Sequence, residues 1–215
     1  MPLVIFSREL KNKALLGVWQ GIEPLELLEK LACLTPTDED KLNSIRLEKR
    51  KREWLASRIL LKMMARGSEL SFLPNGKPIL NNGKHISISH SDDLAGIVIS
   101  DLPIGIDIQG EDSKLLRIER KFTHETEREF LPNGLSRLAS LALIWSAKEA
   151  VFKCFGERVD FSEDMQLRPF QPGDSALILD YQGEHGKGMF ELERNRFGEI
   201  NIVTTTMSVL HPHTV

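Results

Sequence analysis

Three observations in this sequence predict an α+β protein. A leucine-rich, basic stretch over 46–66 has no Pro or Gly before Gly67 and reads as one helix, followed by short alternating runs set between turn residues. The same order then returns. A long helical run from Ser136 to Phe155, with Gly156 placed as its C-cap, precedes a region of strands and turns from about residue 165 onward. Finally, no low-complexity segment or linker separates the two sets. The 215 residues therefore divide into two α+β halves, 1–103 and 104–215, each a helix with antiparallel strands.

The elements follow in order. Residues 24–33 read as a short helix. Thr35-Pro36-Thr37-Asp38-Glu39-Asp40 is a turn leading into the next helix, its early acids favouring a helix start. After the basic helix, Pro74-Asn75-Gly76-Lys77-Pro78 and Asn81-Asn82-Gly83 are turn chemistry. Ile86 and Ile88 alternate with Ser87 and Ser89, the pattern of a half-buried strand, which Ser91-Asp92-Asp93 breaks. Ala95–Ser100 is a second strand, and Asp101-Leu102-Pro103 a turn. A third strand, Ile104–Gln109, carries Ile104, Ile106 and Ile108 on one face and Gly105, Asp107 and Gln109 on the other. Charged helical sequence runs over 111–131 until Pro132-Asn133-Gly134 interrupts it. Beyond the long helix, strands are expected at Ala176–Leu179, Gly188–Leu192 and Ile200–Val209. Gly183, Gly186 and Gly188 fall between strands and fit a hairpin loop.

Composition narrows the function classes. At 41% hydrophobic and 27% charged residues the chain is globular rather than disordered. No apolar run approaches the roughly 18–20 residues that span a bilayer. The opening MPLVIFSREL lacks a basic start, an apolar stretch and a small-residue cleavage site, and the only cysteines are Cys33 and Cys154. A reduced, cytoplasmic protein is expected. The net charge of −3 hides a division: residues 46–66 hold eight basic and two acidic side chains, a net +6, which leaves −9 on the remainder. Such a balance speaks against a nucleic-acid coat or a membrane-surface binder. It leaves room for one small phosphorylated molecule on the basic helix; the plainer alternative is a helix whose cations lie over the core with their heads in water.

Several side chains invite chemistry. Asp107 and Gln109 share a strand face, a hard carboxylate oxygen beside a neutral amide, which suits magnesium or merely a polar face. Trp145, Lys148, Glu149, Phe152 and Lys153 fall within one helical arc of roughly 140°. A carboxylate with two ammonium groups there suits a phosphate–magnesium site; the plain alternative is aromatic core anchors with an i, i+4 ion pair. Ser87-Ile88-Ser89-His90-Ser91 ends a strand in small hydroxyls and an imidazole. No Gly-x-Ser-x-Gly elbow, Walker A loop or Gly-x-Gly-x-x-Gly accompanies them.

Taken together, Asn75-Gly76-Lys77-Pro78, Ser87-Ile88-Ser89-His90-Ser91, Gly105-Ile106-Asp107-Ile108-Gln109 and Trp145-Ser146-Ala147-Lys148-Glu149 with Phe152-Lys153 resemble the 4′-phosphopantetheinyl transferase superfamily, in its monomeric surfactin-type branch. The resemblance runs from about residue 40 to the C-terminus. It implies two pseudo-twofold-related halves with an active site at their junction. The first half, 1–103, would bind coenzyme A. The second, 104–215, would supply the magnesium and catalytic groups and dock the carrier protein. The implied reaction moves the phosphopantetheine arm of coenzyme A onto a serine of an apo carrier protein and releases adenosine 3′,5′-bisphosphate. By resemblance, Asp107, Gln109 and Glu149 ligate Mg2+, and Glu149, Lys153 and Asp107 are catalytic. Lys77, Pro78, Ser89, His90, Lys148 and Lys153 line the coenzyme A groove, with Arg52 on the ribose phosphate and Arg46 and Arg50 as alternatives. Many members carry Glu where this chain has Gln109, a change that removes a negative charge from the site. That position is the single feature favouring a second reading, a catalytically weak protein that binds coenzyme A or a carrier. The cations Lys114, Arg117, Arg120 and Lys121, against Glu119, are expected to meet an acidic carrier or to form a solvated face.

Overall fold

The computed structural model describes residues 4–10, 12–156, 158–184 and 186–211. Two antiparallel sheets and the helices packed on them make an α+β fold. The first sheet has six strands: β1 (Val4–Glu9), β2 (Leu15–Gln20), β3 (Leu70–Phe72), β4 (Pro78–Leu80), β5 (His85–Ser91) and β6 (Leu94–Ser100), in the order β1-β2-β6-β5-β4-β3. The second has five: β7 (Ile106–Gln109), β8 (Met165–Leu167), β9 (Ala176–Gly183), β10 (Gly186–Phe197) and β11 (Ile200–His211), in the order β7-β11-β10-β9-β8. The change of sheet falls between Ser100 and Ile106. The strands β1 and β2 have no counterpart in the sequence reading, and they place a strand pair ahead of the first helix.

Helices cover the outer faces. In the first half, α1 (Leu25–Ala32), α2 (Pro36–Ser44) and α3 (Glu48–Met64) precede β3. Thr35 caps α2 rather than the basic helix: its hydroxyl accepts from the Asp38 N–H, the Asp38 carboxylate accepts from the Thr35 N–H, and Pro36 opens the helix. The basic helix α3 buries Leu55, Ile59 and Leu60 against Trp19, Ile97 and Leu28, so its apolar stripe makes the core of this half. Asp92 and Asp93 both adopt left-handed backbone and close the two-residue hairpin between β5 and β6.

In the second half the charged stretch after β7 breaks into α4 (Lys114–Ile118), a 3-10 turn over Glu119–Lys121, and α5 (Glu125–Phe130). The long helix α6 (Leu135–Phe155) lies on the second sheet, burying Leu141, Ile144, Ala147 and Val151 among Met165, Leu179 and Phe190. Gly156 at φ 89° ends it, as the sequence predicts.

The two sheets meet through β7. Ile104, Ile106 and Ile108 pack on Leu16, Leu94 and Val98 of the first sheet and on Ile202 of β11. On the opposite face β7 approaches α6 so closely that backbone touches backbone. A Cβ on Gly105 would lie 1.8 Å from the Ala150 carbonyl oxygen, a distance that only a hydrogen side chain permits. The loop before β4 completes the contact. The Lys77 ammonium donates to the Cys154 and Phe155 carbonyls at the C-terminus of α6, a cation on the negative end of a helix dipole contributed from the other half.

Gly105→Ala is expected to destabilise the fold by about 3 kcal/mol, the upper end of ordinary overpacking costs, because a main-chain carbonyl cannot rotate away. Urea unfolding midpoints at constant slope measure it; a loss below about 0.5 kcal/mol would mean that strand and helix are not in contact there.

Candidate active site at the junction of the two halves

The site begins with an edge strand. Only one side of β7 is paired in a sheet, with β11. The outward N–H groups of Ile106 and Ile108 face β5 and are buried, so they need acceptors. Ser87 and Ser89 supply them: the Ser87 hydroxyl accepts from the Ile106 N–H at 3.1 Å and the Ser89 hydroxyl from the Ile108 N–H at 3.1 Å. The serine face of β5 is therefore not a solvent face. Both serines are buried, at 2% and 7% exposure.

Asp107 sits in this seam, 6% exposed. Its Oδ1 accepts from the Ser89 hydroxyl at 3.0 Å and from the Lys153 ammonium at 2.8 Å. Lys153 also donates to Ser89 Oγ at 3.1 Å and to the outward Ile106 carbonyl at 3.0 Å. Asp107 Oδ2 is buried with no protein partner. On α6, four residues before Lys153, stands half-buried Glu149. Burial, then repulsion from the Asp107 carboxylate, pushes its carboxyl up to about 6 against the opposing pull of Lys153. Two neighbouring carboxylates, one with an orphaned oxygen, are hard donors suited to a divalent cation. Asp107 and Glu149 thus fit magnesium on donor chemistry.

Gln109, on the same strand face, is half-buried, and its amide N–H donates to the neighbouring Gly110 carbonyl at 2.7 Å. A small cleft of about 170 Å3 opens beside the seam, lined by Asn75, Lys77, Pro78, Phe152 and Lys153. Larger clefts lie against α3 and around Glu111 and Asp112. Gln109 lines the cleft around Glu111 and Asp112, whereas Lys153 lines the smaller one, which therefore lies nearest the paired carboxylates.

The structure separates residues that the helical arc had grouped. Lys148 was expected in the coenzyme A groove; it lies instead wholly inside the second half. Its ammonium donates to Glu127 Oε2 at 2.7 Å and to the Phe122, Phe161 and Met165 carbonyls at 2.8 Å each. That is more acceptors than an ammonium has protons, and none is left for a ligand. Burial pulls the ammonium below its usual range, and Glu127 restores part of the loss. Glu127 itself, fully buried, also accepts from the His124 and Leu167 N–H groups. Trp145 packs edge-on to Phe122 on the same side of α6. Ser89, also expected in the groove, has its one proton and two lone pairs engaged within the protein.

The basic helix holds its arginines in two different settings. Arg52 pairs with Glu48 along α3 at 2.6 Å, whereas Arg50 is brought to His90, its guanidinium 2.9 Å from His90 Nδ1. Glu53, which sequence reasoning left unremarked, holds both: Oε2 lies 2.9 Å from Arg50 and 3.2 Å from His90 Nδ1. Burial would push the Glu53 carboxyl up, but His90 and Arg50 outweigh it and hold it below the usual range. Both contacts fall on Nδ1, which leaves His90 Nε2 for a ligand. One of only two acids among the eight cations of 46–66, with Arg50 at i−3, was the available signal. Glu127 had one too, as N3 of a capping box begun by His124.

Residues 103–205, which carry Asp107, Glu149 and Lys153, match the family model of the 4′-phosphopantetheinyl transferase superfamily. The likeness to that superfamily thus lies in the C-terminal half. Two relatives carry the corresponding name. The 4′-phosphopantetheinyl transferase gsp of Aneurinibacillus migulanus is 34% identical over 84 residues, 38% of this chain and 35% of that protein. The 4′-phosphopantetheinyl transferase psf-1 of Bacillus pumilus is 31% identical over 110 residues, 49% of this chain and 47% of that protein. The chain thus matches less than half the length of either relative.

Glu127→Gln should cost about 3–5 kcal/mol of stability by leaving the Lys148 charge buried without its counter-charge. Adding Lys148→Met should recover a measurable part, read in a double-mutant cycle by thermal or urea unfolding. Independent, additive losses would show that the two groups are not coupled.

Proposed function

We propose that this protein transfers the 4′-phosphopantetheine moiety of coenzyme A to a serine hydroxyl of an apo carrier protein. The observation that carries the reading is the meeting of Asp107, Glu149 and Lys153 at one seam, within the part of the chain that matches the superfamily. The names of both relatives support it. The carrier serine Oγ forms a bond to phosphorus, the pyrophosphate P–O bond breaks, and adenosine 3′,5′-bisphosphate leaves. Glu149 takes the hydroxyl proton, directly or through a water. Asp107 and Glu149 would hold Mg2+, with Gln109 or water completing the shell. Bound there, Mg2+ supplies positive charge against the phosphate oxygens that repel an approaching nucleophile. Lys153, whose three protons go to Ser89, Asp107 and the Ile106 carbonyl, would act on the pyrophosphate through its charge, or by exchanging one of these bonds for a phosphate oxygen.

The first half binds coenzyme A in this reading. Lys77 and Pro78 wall the cleft, and His90 with Arg50 takes the ribose phosphate in preference to Arg52. A cleft of about 170 Å3 is below the usual range for a cofactor-sized ligand, so most of the coenzyme would lie along the open surface toward His90. Both halves are in one chain, which suits a monomer, and a cytoplasmic setting goes with the reaction. Among the described residues no helix is long and apolar enough to cross a membrane. Lys114, Arg117, Arg120 and Lys121 are all exposed, while Glu119 is tied to Arg137, which makes the patch more positive than the sequence alone suggests. We place the acidic carrier there. Gln109 favours the second reading, a weakly active protein that binds coenzyme A or a carrier.

Incubation with coenzyme A, Mg2+ and apo carrier proteins, followed by intact-mass spectrometry of the carrier, separates the two. A phosphopantetheine adduct is expected, and Asp107→Ala or Glu149→Ala should lower its rate by about a hundredfold or more with folding retained. No adduct on any of several carriers would leave only the binding reading. Reversing Lys114, Arg117 and Lys121 to Glu should raise the carrier KM by about tenfold and flatten its salt dependence. Unchanged values would remove the docking assignment.

A further inference from the structure

We infer that the Ser89 hydroxyl is a positioning group for the metal carboxylate Asp107. The inference rests on the magnesium assignment above. Its observation is the saturated hydroxyl. Ser89 Oγ accepts from the Ile108 N–H and the Lys153 ammonium, each at 3.1 Å, and donates its single proton to Asp107 Oδ1 at 3.0 Å. A serine hydroxyl has no further capacity, and at 7% exposure it has little surface to offer a ligand.

The effect falls on one oxygen. Ser89 and Lys153 both occupy Oδ1, so the carboxylate is held in one rotation with Oδ2 the oxygen lacking a protein partner. A carboxylate free to turn would present either oxygen and would lose that order on binding a cation. Ser89 therefore pre-orients a ligand, as hydrogen bonds to metal-binding side chains commonly do. Since Ser89 belongs to β5 and Asp107 to β7, the half proposed to bind coenzyme A sets the geometry of the half proposed to bind metal.

Ser87 provides an internal control. It makes the same bond to the same strand, accepting from the Ile106 N–H at 3.1 Å, with no bond to a carboxylate. Mn2+ binding to the full chain, without coenzyme A or carrier, is measured by electron paramagnetic resonance and by calorimetry. Ser89→Ala is expected to weaken Mn2+ binding by about tenfold to a hundredfold. Ser87→Ala should change it by less than about twofold, and Ser89→Thr should restore most of the loss. If Ser89→Ala does not fold, Ser89→Cys keeps the shape with a weaker donor and is expected to weaken binding in the same direction. In steady state, Ser89→Ala should raise the Mg2+ requirement.

Mn2+ affinity in Ser89→Ala equal to that of the wild type would overturn the inference. So would equal losses in Ser87→Ala and Ser89→Ala, or a raised coenzyme A KM with metal affinity unchanged. If the wild type binds no Mn2+, the magnesium assignment fails with it. If Mn2+ binding responds as expected while no carrier is modified, the inference stands and the transferase reading fails.

Discussion

A strand edge buried inside a protein must find partners for its outward N–H and C=O groups, and β7 is such an edge. The first sheet does not extend across it. Side chains satisfy it instead: Ser87 and Ser89 accept its two outward N–H groups, and Lys153 donates to the Ile106 carbonyl between them. Everything at the site follows from this requirement. The serines must come from β5, so the two halves are joined here. Lys153 must reach in from α6, which brings Glu149 one turn away. Asp107, between the satisfied groups, shares their donors. The same hydrogen bonds that close the seam thus assemble the carboxylates and the ammonium.

The helix α6 serves two surroundings at once, and its two lysines show how environment decides role. Lys148 and Lys153 have identical chemistry and lie five residues apart. Lys148 meets three backbone carbonyls and the Glu127 carboxylate in a fully buried pocket, where it ties α5, α6 and the start of the second sheet together. Lys153 remains partly exposed at the rim of the cleft, with carboxylates beside it. The first braces the scaffold that holds α6 in rotation, and the second faces the chemistry.

Much of this was legible in the sequence, and the parts that were not share a physical cause. Alternation over 104–109 gave the strand and sorted Ile104, Ile106 and Ile108 from Asp107, while Gly156 marked the end of α6. Periodicity reports which residues share a face, but not what that face meets. Ser87 and Ser89 looked half-solvated because hydroxyls usually are; their partner is a strand edge 19 residues away. Lys148 grouped with Lys153 because the arc was wide enough to span two neighbourhoods. Arg50 and Arg52 could not be separated until the hairpin from β5 brought His90 to one of them. The strands β1 and β2 were missed because β2 pairs with β6, far along the chain, and β1 joins the sheet through β2.

The contact between Gly105 and Ala150 carries a consequence for how this site can change over time. Asp107 is two residues from one side of that contact and Glu149 is next to the other. Their separation is therefore a main-chain dimension, set where strand and helix touch without intervening side chains. Core residues on either half can drift in size, and the surrounding sequence can diverge, without altering the gauge of the site. A lineage could rebuild nearly all of the packing around these two carboxylates and inherit the same spacing, provided that one hydrogen atom stays where a side chain would stand.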